Sequence, residues 1–261
     1  MNDVAGPFDA DQIRAHSFLR HVELHESLPS TNDRAIQLAG VAGLETPALV
    51  LARRQTAGRG RGASRWWSPD GALTISLIVD SAELGLTTRD WPRLSLTTAV
   101  AVCDALPVDC SIKWPNDVLI DGRKVCGILI ESPGGAAPAK DRLIIGVGIN
   151  VNNSWRDAPP EVGAAGAALC DATGRQHDLQ RVLIGFLLAL GHRLQQLAGG
   201  NKELPLAWQA RSSLTDRRVA VDCGGRRTTG RCLGIADDGA LIVETGSKAE
   251  RIYSGSVLPI G

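Results

Sequence analysis

The chain has 261 residues, 44% of them hydrophobic, and its 28 Lys and Arg balance 28 Asp and Glu. That is enough apolar material for one large packed domain, or one large domain plus a small one. Zero net charge argues against a binder that works by neutralising nucleic-acid phosphates. Six scattered cysteines without a C-x-x-C pair argue against a zinc site or a disulfide framework, and the longest apolar run, 182–190, is too short to span a bilayer.

Residues 1–20 read as a tail with one short helix and carry no apolar stretch of the secretory type, so a cytosolic protein with buried, reduced thiols is expected. Residues 22–24 suit a strand. Ser30 can cap a helix running to about residue 39, with Asp33 placing a carboxylate near its positive end. The apolar run 48–52 suits a buried strand. Residues 53–65 then read as a loop with five arginines, three glycines and no acid. Residues 72–79 read as a strand and 94–106 as a helix. Strands follow at 112–114, 118–120, 124–131 and 143–152, with Asp121-Gly122 as a hairpin signal.

Residues 156–177, rich in Ala, Gly and Pro, read as a loop with one short helix. Helical periodicity returns at 179–197 and again at 204–212. Beyond about residue 215 the pattern changes to short strands at 218–223, 228–235, 240–244 and 250–254, turned at Gly224-Gly225 and Asp238-Gly239. A small β-barrel or sandwich is expected there, with a domain boundary near residue 213.

Four segments carry chemistry. In 55–62, glycines let backbone approach a ligand and arginines offer forked hydrogen bonds to carboxylate or phosphate. A disordered RG-type nucleic-acid segment would have the same composition, but this one is embedded between two strands and followed by Trp66-Trp67. In 113–117, Pro115 interrupts a strand so that Lys113, Asn116 and Asp117 leave its end together. In 123–131, Lys124 follows a hairpin turn, and Gly127 inside a strand signals close approach of a ligand or another backbone. In 146–152, two glycines precede Asn150 in a run that lacks the third glycine and the helix of a dinucleotide fingerprint. Cys126 is a poor nucleophile candidate because no histidine occurs in 26–176. A set of arginines, lysines and carboxamides without a covalent nucleophile suits phosphate stabilisation and positioning rather than an acyl-enzyme.

Taken together and in this order, Ser30-Thr31-Asn32, GRGRGASRWWSP at 58–69, KWPNDVLI at 113–120, GRKVCGILIE at 122–131 and GVGINVN at 146–152 resemble the biotin–protein ligase family. The resemblance implies an α+β fold: a mixed β-sheet catalytic domain (1–212) related to class II aminoacyl-tRNA synthetases, and a small C-terminal SH3-like β-barrel (213–261). It implies ATP, Mg²⁺ and biotin as reactants and a biotin carboxyl carrier protein as acceptor, with a homodimer as a possible assembly and neither nucleic acid nor membrane as partner. Ser30, Thr31, Asn32 and Gln55 are then expected to bond the biotin ureido ring, with Gly127 beside it. Arg59, Gly60 and Arg61 are expected on a loop closing over biotin and its adenylate. Lys124 is expected at the biotinyl carboxylate and its phosphate, Lys113 at the ATP phosphates, and Asn116 and Asp117 at phosphate, Mg²⁺ and the incoming lysine. Asn150 is expected to read adenine, with Trp66 packed near it. The catalytic set so implied is Arg59, Arg61, Lys113, Asp117 and Lys124. Such families usually continue GRGR-x-G-R-x-W, whereas here Ala63 and Ser64 follow Gly62.

Two rival readings stay in view. A lipoate–protein ligase shares the implied fold, but the arginine loop and KWPND favour biotin. A biotin-sensing repressor would need a helix-turn-helix domain, and the 29 residues before Ser30 are too few for one, so no operator binding is expected.

Overall fold

The computed structural model describes residues 8–87, 90–134, 141–162 and 166–260. A short helix α1 (Ala10–Ala15) leads into strand β1 (His21–Leu28), helix α2 (Thr31–Ala39) and strands β2 (Ala48–Gln55) and β3 (Ala72–Asp80). Helix α3 (Trp91–Ala105) follows, then β4 (Ser111–Lys113), β5 (Asp117–Ile120), β6 (Arg123–Glu131) and β7 (Arg142–Asn150). These strands form one seven-stranded sheet in the order β1-β2-β3-β7-β6-β5-β4. Only the β1–β2 pair is parallel, so the sheet is mixed.

The central strands are near-continuous apolar runs because both faces are covered. Alternation along them sorts side chains between two cores. Leu49, Leu51, Ile75, Leu77, Ile145 and Val147 join the main core. Ala48, Val50, Ile78 and Ile144 face α2 through Ala35, Leu38 and Ala39. Helix α5 (Leu179–Ala198) buries Leu183, Phe186, Leu187, Leu190, Leu194 and Leu197, the spacing of a single helical stripe.

The stretch 156–177 holds more than one short helix. Single 3₁₀ turns occur at Trp155–Asp157 and Pro160–Val162, and α4 spans Leu169–Thr173. Residues 163–165 lie outside the described residues, as does the tail 1–7. After α6 (Glu203–Ala210), strands β8 (Arg218–Cys223), β9 (Arg226–Ile235), β10 (Leu241–Thr245), β11 (Lys248–Ile252) and β12 (Ser256–Pro259) form an antiparallel sheet in the order β11-β10-β9-β8-β12. It is tied to the larger unit by the indole N–H of buried Trp114, which donates to Gly239 O at 2.9 Å. No helix among the described residues is long and apolar enough to cross a membrane.

Two contacts hold α2 against the sheet. At its C-terminal end, buried Arg142 of β7 donates from Nη1 to Ala39 O at 2.7 Å and from Nη2 to Leu44 O at 3.1 Å. Helix α2 has no basic residue in its last turn, so this guanidinium supplies the positive charge that a helix C-terminus favours. Arg142→Ala strands those buried carbonyls and is expected to cost roughly 2 kcal/mol. In a differential scan that is a fall in Tm of about 4–8 °C; a change under one degree would show the contact to be energetically idle.

Near the start of α2, Arg34 forks onto Glu23 of β1 at 2.8 and 2.9 Å, and His25 Nε2 lies 3.1 Å from the same carboxylate. Burial pushes the Glu23 carboxyl up, but the hydrogen bonds and charge from Arg34 and His25 outweigh it and hold the group below its ordinary range. A carboxyl depressed in the fold contributes stability above its unfolded value of about 4.3 and loses it as pH falls through the folded one. Glu23→Gln is therefore expected to flatten the acid limb of a Tm-against-pH curve below about pH 4.3. An unchanged acid limb would remove Glu23 from the account.

Candidate active site

A cavity of about 290 Å³ opens on the face of the large sheet that carries the first turn of α2, with β12 of the smaller sheet along its rim. Its neutral wall begins at Ser30, which caps α2 by accepting from Asp33 N–H at 3.4 Å. The cap leaves Thr31 and Asn32 in the first turn, both nearly fully buried. The Thr31 N–H and hydroxyl both donate to Gln55 Oε1, at 2.7 and 3.1 Å. Ser76 of β3 donates to Asn32 Oδ1 at 2.5 Å and lies 2.8 Å from Thr31 Oγ1. Asn32 Nδ2 donates to Glu131 Oε2 at 2.7 Å, which fixes which way its carboxamide faces.

Glycines make this wall possible. A Cβ at Gly146 of β7 would collide with the Asn32 carboxamide. Gly148, two residues along, and Gly127, its direct partner on β6, leave a bare patch that the Trp66 indole fills. A side chain at Gly148 would collide with that indole, and one at Gly127 would press on both the ring and Lys124. The two seats lie roughly 7 Å apart along the strand. Lys124 Nζ sits 5.6 Å above the Trp66 ring and 2.6 Å from Asp117 Oδ1.

The arginine segment is shorter than the expected loop: β2 runs through Gln55, so residues 53–55 are strand. Parallel pairing with β1 carries them, Ser27 opposite Arg54 and Leu28 opposite Gln55. Beyond Gln55 the chain folds into a small hairpin. Its tip bond runs from Ser64 N–H to Arg61 O, and Gly62 takes φ +61°, a conformation glycine adopts freely. Arg59 spans two carboxylates, Asp33 at 2.9 Å and Glu131 at 2.5 Å. Arg61 donates to Asn116 Oδ1 and to Gly255 O, both at 3.0 Å, and so joins the hairpin tip to the C-terminal sheet.

Ser30, Thr31, Asn32, Gln55, Arg59, Gly60, Arg61, Trp66, Lys113, Asn116, Asp117, Lys124 and Gly127 thus line one cavity. Asn150 does not. It is fully buried, donating to Ala167 O at 3.0 Å and accepting from Asn153 Nδ2 at 2.9 Å. Cys126 is fully buried and burial pushes its thiol up, which agrees with its dismissal as a nucleophile. Sequence reasoning missed Ser76, Glu131 and the β12 rim (Ser256, Val257, Leu258). Gly127 and the alternate glycines 146 and 148 were the local signal of side chains seated on the sheet.

Five cations line the cavity, Arg59, Arg61, Arg65, Lys113 and Lys124, against one carboxylate, Asp117. That excess suits an anionic ligand carrying several charges. Among the described residues no cluster of three His, Cys, Asp or Glu side chains is arranged to hold a metal.

Comparison with known proteins agrees with this architecture. Residues 24–150 match the Biotin/lipoate A/B protein ligase family, and 216–258 match the Biotin protein ligase C terminal domain. The chain is 33% identical to the bifunctional ligase/repressor BirA of Bacillus subtilis, over 91% of this chain and 74% of that one. It is 31% identical to a biotin--[acetyl-CoA-carboxylase] ligase of Mycobacterium tuberculosis, over 94% of this chain and 91% of that one. The solved biotin protein ligase from Aquifex aeolicus in complex with biotin and ATP superposes with a TM-score of 0.80 at 27% identity, covering 93% of this chain and all of that one. With this match along both sheets and the cavity between them, the chain belongs to the biotin–protein ligase family.

Proposed function

We propose that this chain activates biotin with ATP to biotinyl-5′-AMP and transfers the biotinyl group to a lysine of a biotin carboxyl carrier protein. The observation that carries the reading is the division of one cavity into a neutral hydrogen-bonding wall and a cationic end. Thr31, Asn32 and Gln55 suit the donors and acceptors of a ureido ring. Lys124 of β6, held over the Trp66 ring on the neighbouring glycine seat, suits the carboxylate at the other end of the same molecule.

The biotin carboxylate attacks the α-phosphorus of ATP and diphosphate leaves. Lys113 and Lys124 spread the charge that gathers on phosphate oxygens in this step. Mg²⁺, arriving on the nucleotide, would neutralise phosphate charge there; Asp117 is the lining carboxylate able to face it, which fits a hard cation whose other ligands are phosphate and water oxygens. The product is a mixed anhydride and must be kept from water. The hairpin, strapped to Gly255, and the β12 rim cover it. The acceptor amine then attacks the acyl carbon, AMP leaves, and Asp117 orients the amine and takes its proton.

The test is intact-mass analysis of a purified carrier domain. One biotinyl group should be added only when enzyme, ATP and biotin are all present, and none when lipoate replaces biotin. Equal transfer of lipoate would move the assignment to the sister activity.

A further inference from the structure

The short connection between α3 and β4 has a cysteine at each end. Cys103 lies in the last turn of α3, and Cys110 stands directly before β4. Both belong to the edge of the main core, Cys103 buried and Cys110 half-buried. Arg211 draws the two chain ends together. Its carbonyl accepts from Ile112 N–H at 2.7 Å, and its guanidinium donates to Asp104 Oδ1 at 3.0 Å, one residue after Cys103. Cys103, Asp104, Asp109 and Arg211 line one surface recess.

The two thiols meet there as hydrogen-bonding partners, Cys103 donating to Cys110. That hydrogen bond, joined by the Arg211 charge, holds the Cys110 thiol below its ordinary range against burial and the Asp109 carboxylate. The same bond, with burial, pushes the Cys103 thiol up. The pair is therefore unequal: Cys110 is the readier thiolate and the more exposed of the two, and Cys103 keeps its proton. Asp104 is neutralised by Arg193 at 2.8 Å as well as by Arg211. Cys126, close enough to bear on both, is fully buried and pushed up by burial.

We propose that Cys103 and Cys110 form a reversible disulfide when the protein meets a hydroperoxide. The Cys110 thiolate attacks one peroxide oxygen; an S–O bond forms, the O–O bond breaks, and the other oxygen takes a proton and leaves as water or an alcohol. Cys103 Sγ then attacks the sulfenic sulfur; the S–S bond forms, the S–O bond breaks, and the hydroxyl leaves as water with the Cys103 proton. Two electrons pass from the sulfurs to the peroxide. The bond ties the last turn of α3 to the strand that presents Lys113 to the cavity.

Peptide mapping of the full chain tests this. Residues 94–113 form one tryptic peptide that holds both cysteines. After mild hydrogen peroxide, then unfolding and alkylation, it should be two hydrogens lighter and carry no alkyl group, and dithiothreitol before alkylation should restore both sites. The bond should form about tenfold faster in folded protein than in urea, because the fold supplies both the thiolate and its partner. Cys103→Ser should leave a sulfenic acid on Cys110 that dimedone captures, and Cys110→Ser should leave Cys103 unmodified. Two alkyl groups on the wild-type peptide after peroxide overturn the proposal. Equal rates in folded and unfolded protein also overturn it, since the pair would then owe nothing to the fold. Sulfinic or sulfonic acid on wild-type Cys110 without the cross-link does the same, leaving Cys110 a solitary oxidation site.

Discussion

Lys124→Ala is expected to slow biotin-dependent diphosphate exchange by about a hundredfold, equivalent to ~3 kcal/mol of transition-state stabilisation. The ammonium is placed for this by three features. It follows the Asp121-Gly122 turn, whose φ values are both positive. It rests over Trp66, and it is held at 2.6 Å by Asp117. Stability should barely change: a lysine about a third exposed, paired with a partly exposed carboxylate, contributes little to folding. The expected result is thus a large rate effect with a Tm shift of a few degrees at most. A near-normal exchange rate in a well-folded mutant would take Lys124 out of the chemistry, and a collapsed Tm would make its role structural.

The parts of the fold that read directly from sequence are those with a strong local pattern. The apolar runs behind β2, β3 and β7, and the stripe of α5, are visible because burial on both sheet faces or on one helix face dictates residue type continuously. Strand β12 was not legible. Only Val257 of its four residues is buried, and Pro259 ends it, so pairing with β8 alone makes it a strand. The last three residues of β2 were hidden for a similar reason. They are polar, and only the neighbouring β1 shows that they continue the sheet.

In the site, motif residues could be named because they sit in short contiguous runs. The residues that orient them could not. Asn32 meets Ser76 at a separation of 44 residues and Glu131 at 99, with nothing local to mark either partner. Asn150 illustrates the converse. Its amide looks available at a strand end, yet residues 166–167 return beside Lys124 and take it up, with Ala167 N–H donating to Lys124 O at 2.8 Å.

Arg61→Gly is expected to turn a contained reaction into a leaking one. Arg61 is the strap of the hairpin, reaching Asn116 in the large unit and Gly255 beside β12. Its loss leaves glycine at 60, 61 and 62 in succession and removes both anchors at once. Lys113 and Lys124 remain in the cavity, so biotin can still be activated. Loss of a charge-assisted contact costs roughly 1.5–3 kcal/mol. Expressed mainly in departure of the intermediate, that speeds its release about ten- to a hundredfold. Free biotinyl-adenylate is a mixed anhydride and acylates exposed amines without enzyme. Mutant protein incubated with biotin, ATP and serum albumin should therefore biotinylate the albumin, visible on a streptavidin blot, while wild-type protein leaves it unlabelled. The alternative is plain inactivation, expected if Arg61, which has no carboxylate partner among the described residues, serves chiefly as a phosphate ligand. The two separate cleanly in one measurement. A mutant that consumes ATP only when biotin is present, yet leaves albumin unlabelled, would show that the strap does not retain the intermediate. A mutant that consumes no ATP would place Arg61 in the activation step itself.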